Sequence, residues 1–197
     1  MVIHIIDRQF NYLGQIDNYK SLILTKSYSG IGSFELHLHE NTINADKLIK
    51  ENVIFITPKK AFVILHREIT STDGRIIIKG QELKSYLGRF VTIPPIGQAY
   101  HRVNSSAENV MKSYVAHNLA ERSITEIEIA PSQNRGTNLV YQTRYKNLGE
   151  ELGKISLTTG LGWDVTLDIA NKKFIFDVVE GQDRTANQDT LPPAIFS

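Results

Sequence analysis

The sequence predicts a β-rich α+β protein. An antiparallel β-barrel or sandwich lobe comes first, then a smaller α+β lobe of two helices and a β-hairpin. Three observations carry this. Residues up to about Ile93 fall into short apolar or alternating runs separated by turn residues, the pattern of strands in hairpins. Two later stretches place their apolar residues on one helical stripe. The run from Gly160 to Thr185 leaves a helix through Gly-Leu-Gly and then alternates with period two.

Val2–Ile6 opens as a strand, followed by Ser21–Thr25 and Ser33–His39 with Gly30-Ile31-Gly32 between them. In Ser33–His39, Phe34, Leu36 and Leu38 alternate with Glu35, His37 and His39, so one face is buried and the other is wet. Val53–Thr57, Ala61–Ile69 and Arg75–Lys79 form a meander that turns at Pro58-Lys59-Lys60 and at Asp73-Gly74. Asp-Gly is a strong hairpin signal because glycine reaches positive φ without steric cost. Phe62–Leu65 and Ile76–Ile78 are apolar without alternation, which predicts cover on both faces. Gln81–Leu87 is a short helix. Pro94-Pro95 followed by Gly97 interrupts the pattern and sets a boundary, giving lobes 1–95 and 96–197.

Beyond it, Ser105-Ser106-Ala107-Glu108 has the form of a capping box. Ala107, Val110, Met111, Tyr114, Val115 and Leu119 then mark the buried stripe of a helix. Ile124–Ile129 is a strand. Ala130–Tyr145 is polar and reads as one long loop, and loops of that length tend to be functional. Asn147–Thr159 is the second helix, with Leu148, Leu152 and Ile155 inward. In the closing hairpin Trp163, Val165, Leu167 and Ile169 alternate with Asp164, Thr166 and Asp168 around a turn at Ala170–Lys173.

The chain has 197 residues and no cysteine, so neither disulfides nor thiolate metal sites are available. Lys and Arg total 22 against 21 Asp and Glu, so no bulk basic field recruits nucleic acid. No apolar run approaches a membrane span, and MVIHIIDRQ lacks the features of a signal peptide. Pro192-Pro193-Ala194-Ile195-Phe196-Ser197 ends on apolar residues. The expectation is that the natural chain continues, or that this end packs onto a partner.

Residues with chemical potential each have a plainer explanation. His37 and His39 share a strand face with Glu35, a zinc-compatible spacing, but nothing nearby supplies a third histidine or an open site. They are taken as surface residues. Asp164, Asp168 and Asp177 lie on the wet side of a hairpin rather than in a cleft. Gly30-Ile31-Gly32-Ser33 precedes a strand and lacks the lysine of a phosphate loop. No catalytic, cofactor or metal residue is assigned. Arg135, Arg144 and Lys146 make the long loop mildly basic, and Tyr12, Tyr19, Tyr28, Tyr100, Tyr141 and Tyr145 lie in or near turns. The interface candidates are Ser27, Tyr28, Ile31, Arg135, Tyr141, Arg144, Ile195 and Phe196.

Several segments, in order along nearly the whole chain, resemble the tail-tip or baseplate hub proteins of siphophages. They are Asp7 with the Leu13-Gly14-x-Ile16-Asp17 turn, Gly32-Ser33-Phe34-Glu35-Leu36, and Ile78-Lys79-Gly80 with Leu83, Leu87 and Arg89. Asn138-Leu139, Gly160-Leu161-Gly162, Glu180-Gly181-x-Asp183-Arg184 and Pro192-Pro193-x-Ile195-Phe196-Ser197 follow. The resemblance implies a tail-tube-like N-terminal hub module, a virion structural protein that assembles as a homotrimer beneath the tail tube. A second tube-like lobe is expected after Ser197. The implied partners are the distal tail protein and the tube or tape-measure end, with DNA only as passing cargo and no membrane insertion. The module is implied to lack enzymatic activity and cofactors and to reside at the tail tip, after synthesis in the bacterial cytoplasm. Two rivals stand beside it. A carbohydrate-binding module of a host-recognition apparatus would expose coplanar aromatics such as the loop tyrosines and Trp163. A hydrolase would need His37 and His39, or two of the aspartates, to converge in a cleft.

Overall fold

Alternating apolar residues in the first eighty positions build one antiparallel sheet. The structure is a computed structural model that describes residues 1–70 and 73–182. Its strands are β1 (Ile3–Ile6), β2 (Tyr12–Ile16), β3 (Ser21–Thr25), β4 (Ser33–His39), β5 (Val53–Thr57), β6 (Lys60–Thr70) and β7 (Arg75–Glu82). They form a seven-stranded sheet in the order β2-β1-β5-β6-β7-β4-β3. The sheet curls around its own apolar face, a half-barrel filled by Ile3, Ile5, Phe34, Leu36, Phe62, Ile76 and their neighbours. The β6–β7 turn uses Gly74 at φ 62°, as Asp-Gly predicts.

Two readings of this lobe change. The segment Leu13–Asp17 is no turn: Tyr12–Ile16 is an edge strand paired with β1. Gly14 serves close approach there, since a Cβ would stand 2.8 Å from the Asn44 side chain. Cover on both faces of β6 and β7 is incomplete: Phe62, Val63, Ile64, Ile76 and Ile78 are fully buried, while Leu65 and Ile77 are half-buried. The predicted short helix is a 3₁₀ segment, Leu83–Arg89.

The rest of the chain folds as β8 (His101–Ser106), α1 (Ala107–Glu121), β9 (Ile127–Ile129), β10 (Asn138–Thr143), α2 (Leu148–Thr159), β11 (Gly162–Asp168) and β12 (Lys173–Val179). β8 pairs with β10, and β11-β12-β9 is a three-stranded sheet with β9 parallel to β12. The long loop therefore contains a strand. β8 and β10 escape prediction because neither has an alternating apolar–polar sequence: Val103 is the one aliphatic residue of β8, and Leu139, Val140 and Tyr141 of β10 are consecutive. The α1 cap is Ser106, whose hydroxyl accepts from the Asn109 N–H; Glu108 turns inward instead of closing a capping box. All six predicted stripe residues of α1 are buried. Asn147 caps α2, and Gly160 ends it at φ 75°. In β11 Trp163, Val165 and Leu167 are buried as expected, but the strand stops at Asp168 and leaves Ile169 40% exposed.

One apolar core crosses the Pro94 region. It joins Ile6, Val53, Phe55, Leu83 and Leu87 to Val110, Met111, Tyr114, Leu152, Trp163 and Phe176. Among the described residues no helix is long and apolar enough to cross a membrane.

Candidate functional site

The predicted contact loop after β3 is tied to the second half of the chain by a buried lysine. Lys84 is 1% exposed; its ammonium donates to the Ser27 carbonyl and, at 3.2 Å, to the Gly30 carbonyl. It also lies 5.0 Å from the centroid of the Trp163 ring. Burial lowers its pKa, opposed by the charges of Glu82 and Asp164. The Trp163 indole N–H donates to Ser29 O at 2.8 Å, and the Tyr28 hydroxyl donates to Gly160 O at 3.0 Å and Val179 O at 3.2 Å. Glu82 accepts from Gly32 N at 2.6 Å, and Lys26 pairs with Asp164 at 2.9 Å. Gly162 is glycine because any Cβ would overlap the Tyr28 ring. Ser27, Tyr28 and Ile31 thus spend polar or apolar contacts inside the chain, although Tyr28 keeps 44% exposure.

Arg135 is half-buried. Its guanidinium donates to Val178 O and lies 3.5 Å from Glu108 and 3.8 Å from Asp177. Lys112 completes the cluster at 2.7 Å from Glu108 and 2.8 Å from Asp177. Tyr141 is half-buried and donates to Glu151 at 3.1 Å; burial and then Glu151 push its pKa up to about 12. Arg144 is exposed. Ile195 and Phe196 lie outside the described residues. Lys84, Glu108 and Lys112 have no signal in the sequence, because a buried charge looks there like any surface charge.

Asp164 and Asp177 stand opposite each other on β11 and β12, but each is engaged by a cation, Asp164 by Lys26 at 2.9 Å and Asp177 by Lys112 at 2.8 Å. His37 Nε2 sits 2.5 Å from Glu35, which also pairs with Lys79 at 3.0 Å. Asp168 binds the turn through Asn171 N at 3.1 Å, far in role from the Asp177 cluster. Among the described residues no group of three or more His, Cys, Asp or Glu is placed to hold a metal. Trp163, at 1% exposure, offers no face to a sugar.

The two edges of the large sheet differ. At β2 the Asn44 amide donates to Gln15 O at 2.8 Å, so a side chain covers that edge. Among the described residues β3 pairs only with β4, and Ile23 on it is 59% exposed. Its other margin has no backbone partner among the described residues.

Residues 2–197 match the family model of the Siphovirus ReqiPepy6 Gp37-like protein. The chain belongs to that family. The siphophage tail resemblance read from the sequence is thereby shown. No curated protein sequence matches this Gp37-like chain. Among solved structures it is similar to the prophage tail protein gp18 from Listeria monocytogenes, with TM-score 0.55 and 12% identity over 89% of this chain and 50% of that one. It is also similar to the 43 kDa tail protein of prophage MuSo2 from Shewanella oneidensis, with TM-score 0.50 and 10% identity over 90% of this chain and 52% of that one. At such identities the likeness is one of fold. The Gp37-like chain spans about half the length of each of these two tail proteins.

Proposed function

We propose that this Gp37-like protein is a non-enzymatic structural component of the phage tail tip or baseplate hub and acts by assembly. The observation that carries the proposal is the contrast, among the described residues, between a β2 edge met by the Asn44 side chain and a bare β3 edge on a curled sheet. Exposed strand edges invite pairing with another chain, and folded proteins normally blunt them. A bare edge beside a covered one is directional, which suits a ring in which each copy presents one margin to its neighbour. A homotrimer under the tail tube meets that requirement, as does an edge completed by the distal tail protein. The buried tie of Lys84 and Trp163 holds the two halves of the chain in one orientation, as a ring component needs. Interface contributions from Arg144 and the outward side of Tyr28 belong to the same proposal, and so does a division at residue 95.

The test is antibody labelling of intact particles viewed by electron microscopy. Label at the distal end of the tail supports the proposal. Label confined to capsids, or particles without the protein, refutes it.

A further inference from the structure

We infer that the Pro94–Gly97 turn of one copy docks in a glycine-walled groove of a second copy, beside the bare β3 edge. This docking rests on the proposed role as a tail component whose β3 edge meets a neighbour. The turn and the groove are different surfaces of one chain, and a contact of that kind joins copies head to tail.

The groove is a concavity of about 520 Å³ between the β3–β4 loop, the 3₁₀ segment and the first turns of α2. Gly30, Gly88, Gly149 and Gly153 line it, which leaves backbone bare for the close approach of another backbone. Ile31 and Leu65 supply apolar surface. Past Leu65 and Gln81 it runs into a second concavity of about 410 Å³ that reaches Ile23 on β3. The cations along it are spent, Arg89 on Glu51 at 2.9 Å and Lys79 on Glu35 at 3.0 Å. Glu150, which is exposed, is its one charge without an ion pair among the described residues. Two hydrogen-bond donors stay open. The Ser85 hydroxyl belongs to a residue only 5% exposed and has no partner among the described residues. The Gly149 N–H in the first turn of α2 has none there either, whereas Leu148 N donates to Phe90 O and Glu150 N to the Asn147 side chain. Such a groove suits an uncharged apolar segment that brings carbonyl oxygens. A base or a sugar would find no aromatic ring among the residues lining the larger concavity.

The chain carries a matching segment. Val91–Tyr100 has no charged side chain. Pro94 and Pro95 lack N–H groups, so the segment brings more acceptors than donors. Pro95 O accepts from Gln98 N at 3.0 Å, closing a turn with Gly97 at φ 79°. A turn fixed in advance loses little entropy on docking. Ile96 at its tip is 97% exposed, the most exposed large apolar side chain among the described residues. A Cβ on Gly97 would meet nothing within 4 Å, so the tip stands clear of its own chain.

The chain has no cysteine, so introduced thiols are its only ones. Ile96→Cys and Gln81→Cys chains are produced together during phage growth, and purified tails are treated with a short bis-maleimide. A cross-linked dimer is expected only where both variants are present. Tails that hold both variants but give no dimer overturn the inference and leave the tail role standing; wild-type tails without the protein overturn both. Ile96→Asp is the second test. It should leave the Tm of the isolated chain unchanged, because the side chain is already in water, and should lower incorporation into tails by about tenfold, because the charge meets apolar walls. Wild-type incorporation of Ile96→Asp overturns the inference, and loss of incorporation in Ile23→Glu alone traces assembly to the β3 edge without the turn.

Discussion

At the scale of single residues, the chain is held by polar groups in apolar surroundings. Lys84 faces two carbonyls, an aromatic ring and the carboxylate of Glu82 inside the core. Removing one member of such a set leaves the others desolvated and unpaired. Lys84→Ala should therefore cost about 3 kcal/mol, read as a shift of the urea unfolding midpoint. His101 is a second case. Its ring is buried edge-on against Tyr114 and 4.7 Å from His117, and its Nδ1 has no partner. Burial, then His117, lowers its pKa from 6.5. The unfolded chain takes up that proton first, so the stabilising contribution is whole above pH 6.5 and is lost as pH falls through the lowered value. His101→Phe keeps a ring in place and should flatten thermal stability against pH in that range. An unchanged slope would show that His101 is not its source. None of these environments is legible from composition, because a lysine or a histidine has the same letter in a core as in water.

At the scale of elements, periodicity was a good guide where one face is apolar and the other polar. β4, the stripe of α1 and the buried side of β11 are where periodicity places them. It failed where an element's sequence does not alternate, as in β8 and β10, and where turn-forming residues serve another purpose, as at Gly14. The joint between α1 and β12 was also hidden, since it is ionic. Burial alone would raise the Glu108 carboxyl, but hydrogen bonds from Lys112 and from the backbone N–H groups of Arg135 and Gln133 outweigh it and hold the pKa below 4.5. A depressed carboxylate stabilises the fold above its unfolded value and loses that contribution as pH falls through the folded one. Glu108→Gln should accordingly cost about 2 kcal/mol at neutral pH and remove part of the acid-induced drop below pH 4.5. Thermal unfolding of both proteins from neutral to acid pH checks this, and parallel curves would contradict it.

At the scale of the whole molecule, the candidate site was only partly visible in the sequence. The polar or aromatic character of Tyr28, Arg135 and Tyr141 was legible, but the groups they meet, Gly160 O, Glu108 and Glu151, are set by the folded chain. The bare margin of β3 was invisible, because strand order is a property of the folded sheet. Ile23 at that margin is exposed, so Ile23→Glu should leave the isolated chain within about 0.5 kcal/mol of wild type. The same change should abolish incorporation into particles, scored by co-sedimentation with tails, because a charged side chain on an edge opposes strand pairing. The central claim is that this edge is completed by another protein in the tail. A cryo-electron-microscopy reconstruction of the assembled tail tests it most directly. The account predicts the protein at the distal end with a neighbouring strand hydrogen-bonded along Ser21–Thr25; the same margin facing solvent in the assembled particle would contradict it.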